Sequence, residues 1–289
     1  FIDGTTITNI NQTFLSNLPI ITPPLQEHHA IAKILSDLDS KIELLQKQNE
    51  TLEKIGQAIF KHWFVDFEFP NEEGKPYKSS GGEMLYNEDL GKEIPKGWEV
   101  KPIDEVADFL NGLPLQKYPA ENDAEYLPVI KIRELKQGIT NSTDKASINI
   151  PEDYVIDDGD IIFSWSGSLE VVIWGHGKGA LNQHLFKVSS KKYPKWFYYY
   201  WIIQHLPEYR HIAKGKATTM GHIQRHHLKN SLVLVPNGQS LSKMNEIMSP
   251  IINKGINMQI ESRKLSQIRD SLLPRLMSGK IRVPVEVGK

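Results

Sequence analysis

The chain has 289 residues, a formal net charge of −1 at pH 7 and no cysteine. This length allows about two domains with enough apolar surface for a core, while the lack of cysteine excludes disulfides and thiolate metal sites and favours a reducing, cytoplasmic location. No apolar run approaches the roughly 20 residues that span a bilayer, and no N-terminal signal pattern is present.

The sequence repeats itself at a fixed offset of 213 residues, without a gap, for about 60 residues. The first copy opens with residues 1–25, for which we predict a turn and a strand ending at Pro23-Pro24, because proline bars helix there. Two distant copies with a unique segment between them predict a pseudo-symmetric scaffold that positions something twice, since a solenoid needs a short period and at least three units. Because Phe1 falls inside the repeated motif, we expect a fragment or a half-length version of something longer.

A long helix is predicted in each copy, over 26–65 and over 238–278. Apolar residues recur there at alternating spacings of four and three, which is the heptad pattern of a coiled coil. One such stripe would fit an ordinary core helix, but two stripes related by a repeat favour pairing of the helices with each other. Asn49 and Ser262 interrupt the seams at matched positions, as polar residues that fix register commonly do. The apolar seam residues are Ile31, Leu35, Leu38, Ile42, Leu45, Leu52 and Ile59 in the first helix and Met244, Met248, Ile251, Met258, Leu265 and Leu272 in the second.

The region between the two helices has two parts. Residues 66–97 are rich in Gly, Ser, Lys and Glu, show little periodicity and predict a linker. Residues 98–237 alternate short apolar and polar runs, include one aromatic helix predicted over 196–206, and indicate a mixed α/β domain. Residues 279–289 form a C-terminal tail. The predicted fold class is therefore α+β, with one mixed α/β domain and two long helices.

Charge is distributed unevenly within this domain. Residues 98–170 contain 15 acidic residues against 6 Lys or Arg, whereas residues 171–237 contain 10 Lys or Arg, seven histidines and a single acid, Glu208. Asymmetry of this kind can give one face a positive potential that attracts nucleic acid. Solvated surface lysines that happen to cluster would explain the pattern equally well on charge alone.

Two motifs resemble catalytic sites without completing them. The GHGKG run at 175–179 lacks the spacing of a phosphate loop and has no clear helix after it, which favours a tight turn. Asp123, Glu134 and Lys136 match the carboxylate–carboxylate–lysine set of metal-dependent nucleases, but such triplets occur by chance in most proteins of this size.

The remaining chemical motifs are also incomplete. Ser164 and Ser166 lie in a sequence that is not GxSxG, so a hydrolase elbow is not supported. The histidines at 222, 226 and 227 have no third carboxylate ligand and no HExxH pattern, which argues against zinc. Neither a glycine-rich methyl-donor loop nor a DPPY- or NPPY-type tetrapeptide occurs. We therefore predict no catalytic residue, no metal site and no cofactor.

The basic half of the domain carries the side-chain types that hold duplex DNA. Lysine and arginine can bind phosphates, and asparagine and glutamine can bind adenine edges in the major groove. The candidate phosphate ligands are Lys178, Lys187, Lys191, Lys192, Lys214, Lys216 and Arg225. The candidate base-reading residues are Asn182, Gln183, His184, His222 and Gln224.

Six motifs in a specific order carry a family resemblance. They are LPIITPPLQE at 18–27, KHWFVDF at 61–67, IPKGW at 94–98, GDII at 159–162, NQHLF at 182–186 and LLPRLMSGKI at 272–281. Together they resemble the specificity subunit of type I restriction–modification enzymes, over essentially the whole chain.

This resemblance implies a division of labour. In that family two target recognition domains are held apart by two long antiparallel helices, and each domain reads one half of a gapped DNA site. The helices act as a ruler and dock the modification (methyltransferase) subunits, and through them the restriction subunits, whereas methylation and cleavage belong to those other subunits. The chain resembles only the C-terminal portion: 1–25 as the end of a first recognition domain and 98–237 as one complete domain. A twofold homodimer with exchanged helices would then read a palindromic gapped site.

The prediction is thus a non-catalytic, cytoplasmic DNA-recognition subunit. Its alternatives are a coiled-coil assembly adaptor whose middle domain binds protein, and a metal-dependent nuclease using Glu134 and Lys136. DNA contacts are expected from the loops around 131–137, 164–168, 182–184 and 214–225. The candidate DNA-binding residues are Lys131, Arg133, Lys136, Ser164, Trp165, Ser166, Ser168, Lys178, Asn182, Gln183, His184, Lys214, Lys216, Thr218, Thr219, His222 and Arg225.

Overall fold

The computed structural model describes residues 11–18, 22–215 and 221–284. The chain forms two compact units, one of residues 1–43 with 264–289 and one of residues 44–263. The helices are α1 (Gln12–Ser16), α2 (Leu25–Phe64), α3 (Ile103–Val106), α4 (Ile132–Gln137), α5 (Lys195–Gly215), α6 (Arg225–Asn230) and α7 (Gly238–Met277). The strands are β1 (Met84–Asn87), β2 (Lys92–Pro95), β3 (Glu99–Pro102), β4 (Asp108–Asn111), β5 (Leu127–Ile130), β6 (Lys145–Ala146), β7 (Val155–Ile156), β8 (Ile161–Ser164), β9 (Val171–Ile173), β10 (Gly179–Leu181), β11 (Leu185–Ser189) and β12 (Leu232–Val235).

The sequence repeat is also a structural repeat. Helices α2 and α7 are both 40 residues long, and their first and last residues are each related by the 213-residue offset. The reversal after each helix repeats too, because Glu68 N–H bonds the carbonyl of His62 at 2.9 Å and Ile281 N–H bonds that of Arg275 at 3.2 Å. The repeat therefore includes the ends of both helices.

Within residues 1–25, where a turn and a strand ending at Pro23-Pro24 are expected, the described part includes a short helix that precedes the position of the strand. Residues 12–16 form α1, whose position in the repeat corresponds to that of α6. The Asn11 side chain accepts a hydrogen bond from the N–H of Phe14 at 2.8 Å and so caps α1, as asparagine commonly does at a helix N-terminus. The counterpart of β12 falls mostly on 19–21, outside the described residues.

The two long helices pair as an antiparallel coiled coil, as predicted. In the first unit Arg269 of α7 binds Asp39 of α2 at 2.8 Å, and in the second unit Asn49 of α2 lies against Gly255 of α7. The predicted seam positions are buried or half-buried along both helices. Burial of a continuous heptad seam is what holds such a pair together. Asn49 faces a glycine in this pairing, which the sequence pattern alone did not indicate.

The expected linker over 66–97 contains a hairpin and contributes to the domain core. Strands β1 and β2 pair in an antiparallel hairpin. Phe67 and Phe69 are buried, and the Phe69 ring stacks on Tyr77 at 4.5 Å and packs against Trp98 at 4.8 Å. Burial of large aromatic side chains contributes strongly to a core, so this segment is packed rather than free.

The mixed domain is built on two four-stranded sheets. Their strand orders are β6-β5-β10-β7 and β4-β11-β8-β9, with β5 and β10 the parallel pair. A further pair, β3 and β12, joins the start of the domain to its end. Helix α5 packs into the largest core cluster, where Trp201 meets Phe60 and Phe64 of α2 edge-on. This packing ties the sheets to the C-terminal half of α2.

Candidate nucleic-acid interface

Three of the predicted DNA-binding segments, 164–168, 182–184 and 221–225, converge around Trp165, which follows β8. The Trp165 indole N–H donates to Asn111 Oδ1 at 2.8 Å. Its ring lies 5.7 Å from the ring of His184 and 6.2 Å from that of His222. One half-buried aromatic side chain therefore holds together segments from four parts of the sequence.

Main-chain hydrogen bonds fix the same arrangement. Trp165 N–H donates to the carbonyl of His184 at 3.3 Å, and Ile223 N–H donates to the carbonyl of Trp165 at 2.9 Å. Gly167 N–H donates to the carbonyl of Gly221 at 2.9 Å. Because backbone polar groups buried without partners are costly, these bonds define the relative placement of loops 164–168 and 182–184 and the segment after α5.

The turn between β10 and β11 has one buried side chain and two that are partly exposed. Asn182 is buried, and its amide donates to Gln183 Oε1 at 2.9 Å while its oxygen accepts the N–H of His184 at 3.3 Å. Gln183 and His184 are half-buried. A Cβ at Gly112 would lie 2.2 Å from the Asn182 carbonyl oxygen, so the turn is packed against the chain after β4. Gln183 and His184 can therefore face a ligand, with Asn182 holding them.

Three of the predicted contact residues are buried. Ser164 is fully buried; its hydroxyl donates to the carbonyl of Ser168 at 2.7 Å and accepts the N–H of Glu170 at 2.8 Å. Ser166 is buried, with its hydroxyl 3.0 Å from His184 Nδ1. Together with Asn182, these side chains shape the loops rather than face solvent, since a bonded and buried hydroxyl has no free direction toward DNA. Ser168 is exposed.

The predicted cations of α4 and of the residue before it are paired with carboxylates. Lys131 binds Asp144 and holds the pKa of that carboxyl below its usual range through this hydrogen bond. Arg133 Nη2 lies 2.7 Å from buried Glu134. Lys136 lies 3.7 Å from Glu170, whose other oxygen accepts from an arginine of α5 at 2.9 Å. All three cations keep about half of their side-chain surface exposed and remain accessible to a phosphate.

The other predicted cations differ in their surroundings. Arg225 lies 5.6 Å above the Phe186 ring and donates to the carbonyl of Phe109 at 3.2 Å. Lys178 and Lys214 are exposed and form no ion pair within the part of the chain that the structure describes. The remaining candidates, Lys216, Thr218 and Thr219, lie outside the described residues.

The predicted one-sided positive face is partly neutralised. Lys187 lies 3.1 Å from Asp160 and also donates to a backbone carbonyl. Arg210 of α5 binds Glu170 at 2.9 Å. Carboxylates of residues 98–170 thus pair with lysine and arginine side chains of residues 171–237. A count of charges along the sequence does not reveal this pairing.

Sequence reasoning missed Asn111 and Gln116. Asn111 orients Trp165 from 54 positions away in the sequence. Gln116 lines an open cavity of about 310 Å³ together with Lys131, Asp144 and Asn182, and this cavity adjoins both the start of α4 and the 182–184 turn. Nothing in the local sequence around either residue indicated that it would reach this site.

The catalytic alternatives are not assembled. Asp123 pairs with Lys145 at 2.7 Å, whereas Glu134 accepts from Arg133 and from Thr143 within its own segment. The described ranges contain no group of three or more His, Cys, Asp or Glu side chains that could hold a metal ion. Nor does any helix in these ranges have the length and apolarity required to cross a membrane.

The GHGKG run at 175–179 forms a packed turn rather than an open phosphate loop. The buried Trp174 indole donates to the Gly177 carbonyl at 2.5 Å. A Cβ at Gly175 would lie 2.2 Å from Gln259 Oε1 of α7. A phosphate loop needs free backbone N–H groups around an open cradle, and here the N–H of Gly177 already binds Asp158.

Comparison with known proteins gives consistent matches. The chain is 32% identical over 288 residues to the type I restriction enzyme MjaIX specificity subunit of Methanocaldococcus jannaschii, covering 97% of this chain and 64% of that protein. It is 24% identical over 327 residues to the HindI specificity subunit of Haemophilus influenzae, covering 92% of this chain and 70% of that protein. This chain thus spans about two thirds of the length of these relatives.

A solved structure and a family model agree with these matches. The S subunit of the type I restriction–modification system of M. genitalium superposes with a TM-score of 0.54 at 19% identity, over 95% of this chain and 67% of that one, which supports the fold. The model of the type I restriction modification DNA specificity domain matches residues 1–54 and 95–268, well over half of the chain. The chain therefore belongs to the type I restriction–modification DNA specificity family.

Proposed function

We propose that this chain is a DNA-recognition subunit, or half-subunit, that reads one half of a bipartite gapped site with its domain of residues 98–237. The observation that carries the proposal is the convergence of three loops on Trp165, whose ring packs against the rings of half-buried His184 and of Phe186, with Arg225 above the Phe186 ring. Half-buried Gln183 precedes His184 in the same turn. Specific DNA readers combine cations for phosphates with polar side chains for base edges, and this surface contains both types.

The roles of the side chains follow from their accessibility. Lys178, Lys214 and Arg225 would bind phosphates, which gives a salt-dependent and sequence-independent contribution to affinity. Gln183 and His184 would discriminate bases, each good contact contributing about 1–3 kcal/mol. The buried residues of the same loops would act by holding these side chains in place.

The paired helices would act as the ruler between two half-sites and as the docking surface for modification subunits. Methylation and cleavage would then belong to the partner subunits, and this chain would work without catalysis in the cytoplasm. The scaffold would comprise residues 26–65 and 238–278, with 1–25 as the end of a first recognition domain. The named specificity subunits among its relatives support this assignment.

The second half-site requires a second recognition domain. A second copy of this chain could supply it, in a twofold homodimer with exchanged helices that reads a palindromic gapped site. The 213-residue repeat supports this arrangement, since matched helices can replace one another. A monomeric mass by light scattering at micromolar concentration contradicts it.

The test is selection from a random duplex library by the full chain, with and without the modification subunit encoded beside it. Two short motifs at a fixed gap are expected, with inverted identical halves in the case of a homodimer; a single enriched half-site indicates one working domain. The Gln183→Ala variant should change the preferred sequence, whereas Gln204→Ala, exposed on α5, serves as the matched control and should not. No enrichment in either condition, with the modification subunit bound, contradicts DNA recognition and favours an assembly adaptor.

A further inference from the structure

Three glycines of the recognition domain lie along one face of α7. Gly159, Gly175 and Gly177 approach Ile256, Gln259 and Arg263 respectively, and a Cβ at these glycines would lie 3.4, 2.2 and 2.9 Å from the nearest atom of each of those side chains. The three α7 residues are spaced by three and four, so they form one stripe on the helix. Gly175 and Gly177 let their turn pack closely on the helix, whereas a Cβ at Gly159 would make ordinary van der Waals contact with Ile256.

Arg263 joins both turns with one side chain. Its two terminal nitrogens each lie 2.7 Å from an oxygen of Asp158, and one of them also donates to the carbonyl of Gly175 at 3.2 Å. Asp158 in turn accepts the N–H of Gly177 at 2.7 Å. About one fifth of each charged side chain is exposed. Two-pronged arginine–carboxylate pairs define direction as well as distance, so this contact restricts rotation of the domain on the helix.

The contact of Arg263 with Asp158 and Gly175, here called the clamp, is connected through strand β8 to the candidate DNA surface. Trp174 bonds Asp160 and Gly159 through its backbone at 2.7 Å each. Strand β8 begins directly after Asp160 and ends directly before Trp165. Four strand residues span roughly 13 Å at about 3.3 Å per residue. A change in orientation at the clamp is therefore transmitted to the loops around Trp165.

The repeat supplies an internal comparison. The position in α2 that corresponds to Arg263 is Glu50, which is exposed and has the opposite charge. The helical heptad therefore does not require arginine at this position. Arginine occurs in the copy on which the turns of the recognition domain are docked.

We propose that Arg263 is a positioning residue: through Asp158 it sets the orientation of the recognition domain on α7, and thereby the placement of the DNA-reading loops relative to the helix pair. This inference rests on the proposed function for its consequence on DNA, but not for the orientation itself. Without the clamp, the domain would sample a wider range of orientations, and the gap accepted between half-sites would become less strict.

The orientation can be measured by electron–electron spin distances in the full chain. Because the chain has no cysteine, labels can be placed at Lys254→Cys on α7 and Glu125→Cys on the domain, both of which are exposed. Arg263→Gln should broaden or shift the distance distribution, and the exchanged pair Arg263→Asp with Asp158→Arg should restore it. Glu50→Gln, the repeat-related control, should leave it unchanged. An unchanged distribution in Arg263→Gln, an equal effect of Glu50→Gln or a failure of the exchanged pair to restore it overturns the proposal.

Two further measurements distinguish a loss of folding, or a failure of the proposed DNA function, from a failure of the positioning role. Arg263→Lys keeps the positive charge but cannot make the two-pronged contact, so it replaces Arg263→Gln if that variant does not fold. It should also broaden the distribution of spin–spin distances. A distribution equal to that of the unsubstituted chain overturns the proposal. In library selection, Arg263→Gln should keep the preferred half-site and accept a wider set of gaps. If the unsubstituted chain selects no sequence, the proposed DNA function fails, while the spin distances still decide whether Arg263 orients the domain.

Discussion

The hydroxyl of Tyr200 occupies the space that a side chain at Gly56 would need. A Cβ at Gly56 would lie 1.9 Å from the Tyr200 oxygen and 2.6 Å from the ring carbon that carries it. Gly56 is a buried seam position of α2, and Tyr200 belongs to α5 of the recognition domain. At the corresponding position of α7 the chain has Arg269, which binds Asp39. The glycine is therefore explained by domain packing and not by the heptad.

Gly56→Ala should destabilise the protein although alanine favours helix. Alanine gains about 1 kcal/mol over glycine in a helix interior, but overpacking of a filled core typically costs about 1–3 kcal/mol. We expect a net decrease in the free energy of unfolding, measured by urea denaturation. Gly255→Ala is the control, because its Cβ would meet only the tip of the Asn49 side chain at 2.9 Å, so it should be closer to neutral. Equal or greater stability of Gly56→Ala would contradict this packing.

Tyr200→Phe should be neutral or stabilising, in contrast to most core substitutions. The Tyr200 hydroxyl is buried and has no hydrogen-bond partner among the described residues. A buried polar group without a partner costs about 1–3 kcal/mol, so removal of this oxygen should raise the free energy of unfolding by up to about 1 kcal/mol. Combined with Gly56→Ala, it should recover part of the lost stability. A loss of stability in Tyr200→Phe would show that the hydroxyl has a stabilising partner.

Acid should weaken the contact between Glu27 of α2 and Arg282 after α7. Arg282 donates to Glu27 at 2.7 Å and lowers the pKa of that carboxyl below its usual value of 4.5. A lowered pKa in the folded state contributes stability above the unfolded-state value, and this is lost as the pH falls through the folded-state value. Glu27→Gln should thus be less stable than the unsubstituted chain at pH 7, and the difference should shrink below about pH 4.5. Thermal unfolding from pH 7 to 3 measures this, with exposed Glu246→Gln as the control; a pH-independent difference would contradict it.

The sequence predicts the scaffold better than the binding surface, for a physical reason. Heptad periodicity is local, so burial of seam residues such as Ile42 and Met248 follows from spacing alone. Burial of Ser164 depends on hydrogen bonds to the returning chain, and the orientation of Trp165 depends on Asn111, 54 residues before it. Composition indicated polar and basic segments such as 182–184 as candidate loops. It did not indicate which side chains in those loops face inward.

Gln183 and Ser164 should respond differently to substitution. Gln183→Ala should change the preferred base at one position by about 1–3 kcal/mol, because contact with a base edge is the role proposed for this half-buried side chain. Ser164→Ala removes a buried hydroxyl and leaves the N–H of half-buried Glu170 without this acceptor, so it should lower stability by about 1–3 kcal/mol while the preferred sequence is retained. Library selection and urea denaturation of both variants check this. A sequence change in Ser164→Ala without loss of stability would place that hydroxyl at the DNA.

Lys214→Ala combined with Lys216→Ala should weaken binding to all duplexes about equally. Lysine at the end of α5 is exposed and suited to phosphates, which are the same in every sequence. Loss of two phosphate contacts should also make the dependence of log affinity on log salt shallower by about 2. Binding titrations on selected and random duplexes at several salt concentrations measure both effects. Lys75→Ala with Lys78→Ala, two exposed lysines of the 66–97 segment, is the matched control and should change neither quantity. If the double variant instead prefers a new sequence at unchanged overall affinity, these lysines bind bases, and the phosphate contacts must come from Lys178, Arg225 and the α4 cations.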